Sequence, residues 1–216
     1  MSPLSGAACE RSGRAAIAWQ PSSVLLLLMF LLPLLWLAGC RSLAPLPAVS
    51  WPERRAALQA VERYSFSGQL AVATASEGFS ATLRWQQLGA ATELLLRAPL
   101  GVGGARVSFD GAALQFVGAD GTQSAGEAAH EQLARILGFE PPLTSLRYWL
   151  LGVPDPSAPA IESLDSAAHL AQLQQGDWQV SYGQYGLSGG QWLPRQLSLS
   201  RGRLRMKLHI AQWRLG

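Results

Sequence analysis

The chain has 216 residues, 49% of them hydrophobic, with eight tryptophans, two cysteines and a formal net charge of +3. So small a charge, with no basic stripe along a helix, argues against nucleic-acid binding. Scattered carboxylates and the lack of a His/Cys cluster argue against a bound metal, and no cofactor motif stands out.

Residues 1–52 read as leader and tether. Val24–Cys40 is an uncharged apolar run that follows Arg11 and Arg14. It is short for a spanning helix, which needs about 20 apolar residues, and Pro33 interrupts it, so a secretory signal is expected over an uncut signal anchor. Its ending, Leu37-Ala38-Gly39-Cys40, resembles the lipobox of bacterial lipoproteins, where cleavage precedes the cysteine and that cysteine carries the lipid. The resemblance implies a signal peptide over 1–39, lipidation at Cys40 and a lipidated tether over 40–52. Arg41, where an inner-membrane lipoprotein usually has Asp, implies the outer membrane. Cys9 lies on the removed side, so the mature chain has no intramolecular disulfide. Pro45, Pro47 and Pro52 suit an extended tether.

Residues 53–216 read as one domain of ordinary size. Glu53–Tyr64 carries Ala57, Leu58 and Val61 on one face and predicts a helix. Alternation then takes over. Tyr64–Val72, Phe79–Trp85, Thr92–Arg97, Ala105–Phe109 and Leu114–Val117 predict strands, with turn chemistry at Asp110-Gly111 and Asp120-Gly121. A short strand follows the second turn. Glu127–Leu137 predicts a helix stopped by Gly138. A second helix, Leu146–Leu151, is capped by Ser145 and ended by Gly152. His169–Gln174, Trp178–Tyr182, Leu193–Ser200 and Arg203–Ile210 predict further strands, with Gly183–Gly190 as a loose loop. Strands joined by tight turns make an antiparallel sheet, and its apolar face needs a cover. The expected fold is mainly β (α+β): a curved antiparallel sheet forming an incompletely closed barrel, with a helical lid over an apolar cavity.

Catalytic signals are weak. Gly186-Leu187-Ser188-Gly189-Gly190 matches G-x-S-x-G, but a hydrolase nucleophile needs a strand before it and a helix after it. None of His130, His169 and His209 has an obvious Asp partner by spacing, so no enzyme is expected. Arg97–Gly104 joins two strands as a protruding loop whose tip is Leu100 and Val102. An exposed apolar tip is common; on a tethered protein it is also a candidate for membrane contact.

Several segments together resemble one family: Phe66–Val72 (FSGQLAV), Ser80–Gln87 (SATLRWQQ), Leu94–Gly101 (LLLRAPLG), Pro142–Pro154 (PLTSLRYWLLGVP), Trp178–Gly183 (WQVSYG) and the closing strand into Trp213. Their content and order resemble the outer-membrane lipoprotein LolB family. The resemblance implies a monomeric, lipid-anchored receptor facing the periplasm. It would accept lipoprotein cargo from the periplasmic carrier LolA, hold the acyl chains in an apolar cavity and insert the cargo into the outer membrane. It implies membrane contact by the Pro99, Leu100, Gly101 loop. Phe79, Leu83, Trp85, Trp149, Trp178, Val180, Tyr182 and Trp213 are the expected cavity lining. The alternatives are a lipid-binding outer-membrane lipoprotein of a different pathway and a purely structural lipoprotein with a filled core.

Overall fold

The computed structural model describes residues 50–99 and 103–216. The signal segment, Cys40, most of the tether, and Leu100 and Gly101 lie outside the described residues.

Helix α1 spans Trp51–Gln59. It starts two residues before the predicted boundary, because Ser50 donates from its backbone N and its Oγ to Glu53 Oε2, at 3.1 and 2.8 Å, and Pro52 is tolerated in a first turn. It also ends earlier than predicted. Tyr64 belongs to the following strand, where its period-2 neighbours Phe66 and Leu70 turn the same way.

Eleven strands follow: β1 Arg63–Ala73, β2 Gly78–Leu88, β3 Ala91–Arg97, β4 Gly104–Phe109, β5 Leu114–Gly118, β6 Gln123–Ala125, β7 Ile161–Leu164, β8 Leu170–Gln175, β9 Trp178–Ser188, β10 Gln191–Arg201 and β11 Leu204–Leu215. Helices α2 (Glu127–Leu137) and α3 (Leu143–Trp149) lie between β6 and β7 in sequence. All strands form one antiparallel sheet in the order β6-β5-β4-β3-β2-β1-β11-β10-β9-β8-β7, left open between β6 and β7. Every neighbour is also a sequence neighbour except β1–β11, the pairing that joins the two halves of the chain.

The inner face follows from alternation. In β11, Leu204, Met206, Leu208 and Ile210 are buried, while Arg205, Lys207 and His209 are exposed. Across the centre of the sheet, Phe66 pairs with Trp85 on one side and Trp213 on the other, with ring centroids 6.2 and 5.0 Å away. The β1–β11 register shifts at Ser67/Gly68. A Cβ on Gly68 would run into the carbonyl of His209, so glycine is required where the strands bulge together.

Three predicted local features differ from the structure. Gly183–Gly190 is not a loose loop: β9 runs on to Ser188 and only Gly189-Gly190, both with positive φ, make the turn into β10. Edge strand β7 went unrecognised because its four residues, Ile-Glu-Ser-Leu, are too few to show a period. Helix α3 starts at Leu143, and Ser145 caps nothing; its Oγ donates 2.8 Å to buried Asp155 Oδ2.

Candidate functional site

Helices α2 and α3 cover the apolar face of the sheet, and their attachments differ. Helix α3 is tied by buried or part-buried hydrogen bonds. Tyr64 donates its hydroxyl to the Arg147 carbonyl at 2.6 Å, Ser145 reaches Asp155, and the Trp149 indole N–H donates to Gln175 Oε1 at 2.7 Å. Gln175 returns its amide to the carbonyls of Asp155 and Ala158. Burial pushes the Tyr64 phenol far above its ordinary range, partly opposed by nearby Arg147, so it stays a neutral donor.

Helix α2 is held otherwise. Ala129, Leu133 and Leu137 are buried, and the Gly126 N–H donates to the Leu114 carbonyl. Among the described residues, no α2 side chain hydrogen-bonds to the sheet; Arg135 turns back to Gln132. Gly138 ends the helix in the left-handed region with φ 75°, and an added Cβ would meet Thr74 Cγ2 at 2.8 Å, so the end of α2 sits close against the β1–β2 turn.

Under these helices lies a small, wholly apolar cavity of about 40 Å³, lined by Leu83, Trp85, Leu96, Leu137, Leu146 and Leu208 among others. Pockets that take small ligands measure about 300–1,000 Å³, so this interior is nearly full. Beside it opens an apolar cleft of about 430 Å³ between Ile136 of α2 and Phe79, Ala81, Leu96, Ala98, Pro99 and Ala105. Leu96 lines both spaces. The cleft lies where β3 passes into the loop toward β4. There the Ala98 N–H donates to the Gly103 carbonyl at 3.2 Å, closing the loop at its base, and Pro99 is exposed. Ile136 is 40% exposed at its mouth.

The predicted lining is thus split. Leu83 and Trp85 line the interior cavity and Phe79 the cleft. Trp149, Trp178, Val180, Tyr182 and Trp213 line neither space. Trp149 and Trp178 pack against each other at 5.9 Å, Trp178 meets Phe139 edge-on, and Arg201 lies over its ring at 4.8 Å. The Trp213 indole donates to the Pro194 carbonyl at 2.8 Å. The bonded indoles of Trp149 and Trp213 make packed walls here. Among the described residues the buried Tyr182 hydroxyl has no hydrogen-bond partner, and burial raises its pKa well above the ordinary value. Ile136, Leu96 and Ala98 were missed: one is an exposed apolar residue on an amphipathic helix and the others are ordinary strand-end residues, so neither period nor composition marks them.

A larger hollow of about 620 Å³ lies at the opposite end of the strands, and Arg63, Glu93, Asp110 and Arg214 are part of its wall. Burying hydrocarbon there would desolvate those charges, so the Phe79 cleft is the better apolar site. Ser188 ends β9 and pairs with Gln191 across a hairpin, without the helix that a hydrolase nucleophile needs. Among the described residues, no group of three or more His, Cys, Asp or Glu side chains stands together to hold a metal ion.

An open antiparallel sheet, a helical cover of which one helix is held by apolar packing and not by side-chain hydrogen bonds, and an apolar cleft at the strand ends define a lid-covered half-barrel built around apolar surface. A solved structure of this kind is the LolA superfamily protein NE2245 from Nitrosomonas europaea, which matches with a TM-score of 0.51 and 8% identity over 78% of this chain and 94% of that one; the likeness is of fold alone. The chain belongs to the outer membrane lipoprotein LolB family, whose profile matches residues 62–213. It is 36% identical over 194 residues to the outer-membrane lipoprotein LolB of Nitrosococcus oceani, covering 87% of this chain and 96% of that protein. It is 32% identical over 171 residues to that of Alkalilimnicola ehrlichii, covering 78% and 85%.

Proposed function

We propose that this protein is an outer-membrane receptor, anchored by lipid on Cys40 and facing the periplasm. It accepts lipoproteins from the soluble carrier LolA and inserts them into the outer membrane. Family membership supports the reading. The observation that carries it is the cleft between Phe79, Ile136 and Pro99, which shares Leu96 as a wall with the interior cavity. A lipoprotein acyl chain carries about 0.8 kcal/mol of burial free energy per methylene, so crossing water requires such cover.

Handover follows from the two helix attachments. The interior is nearly filled, so an acyl chain enters as α2 yields and the apolar contacts of Leu133 and Leu137 are exchanged for contacts with the chain. Helix α3 stays in place on its hydrogen bonds. Apolar walls make few demands on chain shape, which suits varied cargo.

Release takes place at the loop. Burying one leucine side chain contributes about 1.5–3 kcal/mol, whereas even millimolar binding needs about 4 kcal/mol. Leu100 therefore touches the bilayer only briefly, Pro99 and Gly101 frame it, and anchoring falls to Cys40. No step makes or breaks a covalent bond, so the protein acts as a transfer factor and not as an enzyme.

The test is transfer of a labelled lipoprotein from its soluble carrier to vesicles that bear this protein. Label is expected to appear in the bilayer with the protein and to stay on the carrier without it. Leu100→Glu is expected to accept cargo yet not deliver it. Delivery at the wild-type rate by that variant would overturn the loop's role, and equal delivery with and without the protein would overturn the function.

A further inference from the structure

The outer face of the sheet is basic. The outer face carries exposed Arg84, Arg97, Arg106, Arg205, Lys207 and Arg214 on β2, β3, β4 and β11, which are neighbouring strands around β1. Among the described residues, the one acid at an outward position of these strands is Glu93, and Arg106 lies 3.5 Å from it. The remaining acids sit on helices, in turns and on edge strand β7, including Glu127 and Glu131 of α2 and nearby Glu140. The registers spread the cations across the surface. Arg84 lies opposite Ser67 on β1 and Leu95 on β3, Leu95 lies opposite Arg106, and Lys207 lies between Ala71 and Ser198. Short side chains between them leave the long basic ones standing above the strands. Arg97 closes β3 two residues before Pro99, so the basic face runs up to the start of the β3–β4 connection.

We propose that this outer face docks on anionic phospholipid headgroups and so holds the mouth of the cleft beside the bilayer; the proposal rests on the transport reading above. A protein partner would call for buried aromatic or aliphatic anchors at the centre of the face. On the central strands the large aliphatics at outward positions are half-buried Leu95 on β3 and exposed Leu88 at the far end of β2, and neither forms a cluster at the centre of the face. A fluid layer of headgroups needs no such anchors and rearranges to meet each guanidinium. Each basic residue near an anionic surface raises partitioning roughly fivefold, and the effect is screened by salt.

The test uses the mature lipid-bearing protein in vesicles, with a fluorophore on Gln69→Cys at the middle of the face and a quencher on the headgroups. Quenching is expected to be severalfold greater in vesicles containing phosphatidylglycerol than in phosphatidylcholine alone. It is expected to fall with salt and to disappear in the triple variant Arg84→Gln, Arg106→Gln, Lys207→Gln, whose exposed changes leave the core intact. Quenching independent of lipid charge overturns the proposal. So does a variant that quenches normally but loses affinity for an acidic soluble carrier, because the face would then serve a protein. Cargo delivery in the same vesicles separates the two readings. Delivery without charge-dependent quenching overturns the docking face alone, and charge-dependent quenching without delivery supports docking while overturning transport.

Discussion

The Trp149 indole N–H points at Gln175 Oε1 across 2.7 Å, joining the last turn of α3 to the end of β8, 26 residues further along the chain. The same oxygen accepts the Asp155 N–H at 3.0 Å, and the amide nitrogen satisfies two more carbonyls. One buried side chain thus settles four backbone or indole groups, and α3 has a fixed seat.

Gln175→Leu keeps the volume and removes all four bonds. Each buried group left unpaired costs about 1–3 kcal/mol, and some of these groups will find water, so a loss near 3 kcal/mol is expected. Urea unfolding reads it as a lower midpoint with unchanged slope. A loss below about 1 kcal/mol would show that the bonds are replaced on relaxation. Charged substitutions at Trp149 or Trp178 are expected to unfold the domain, so loss of transfer in them would say nothing about cargo.

The cleft is tested at the residue it shares with the interior. Leu96→Trp places an indole where both spaces meet, and overpacking of this kind costs about 1–3 kcal/mol. Because the cleft lies alongside, a cost at the low end is expected, with acyl-chain binding reduced at least tenfold. Ile136→Ser, at an exposed mouth position, should leave stability within about 0.5 kcal/mol and still weaken acyl binding. Fluorescent fatty-acyl displacement measures both; unchanged binding in both variants would exclude the cleft.

What the sequence made legible was whatever repeats. Alternation in Leu204–Ile210 assigns each side chain to a face, and Glu127–Leu137 matches α2 at both ends because its apolar period and Gly138 agree. What it hid depends on distance. That Trp149 would find Gln175, or that Ile136 would meet Phe79 and Pro99, follows only once β1 and β11 have brought the two halves together. Trp149, Trp178 and Trp213 lie in the packed walls beside the cavity and not on it, because an indole fills space better than it leaves space. The glycines of 183–190 misled for a simpler reason: in β9, Gly183 faces the Gln196 side chain and Gly186 that of Arg195, packed close enough to reward a missing Cβ.

Tyr182 offers a stabilising change. Its hydroxyl is buried without a partner among the described residues, while its ring lies 6.4 Å from Tyr185, whose own hydroxyl donates to the Leu170 carbonyl at 2.6 Å. Tyr182→Phe deletes only the unpaired oxygen and is expected to raise stability by about 1 kcal/mol. Tyr185→Phe leaves a carbonyl short of its donor and should lower it by a similar amount. Opposite signs in thermal unfolding are the check; a loss at Tyr182 would reveal a partner that forms in solution.

The turn between β7 and β8 is one acid-sensitive site. Burial acts to raise the Asp165 pKa, but N–H groups of His169 and Ala167, at 2.9 and 2.8 Å, together with the His169 imidazole, outweigh it and hold the carboxyl below its usual range. A folded-state pKa below the unfolded value, about 3.9, means that the carboxylate adds stability above that pH and loses it as pH falls through the folded value. The His169 ring stacks on Tyr185 at 4.5 Å, and the Arg54 guanidinium donates to the Ala168 carbonyl at 2.8 Å, so loosening this turn also loosens the seat of α1. Asp165→Asn should therefore cost stability at neutral pH and flatten the decline below pH 4, with a net effect under about 1 kcal/mol because the site is largely solvated. Unfolding followed from pH 7 to pH 3 measures it, and an acid limb as steep as the wild type's would place the sensitivity elsewhere.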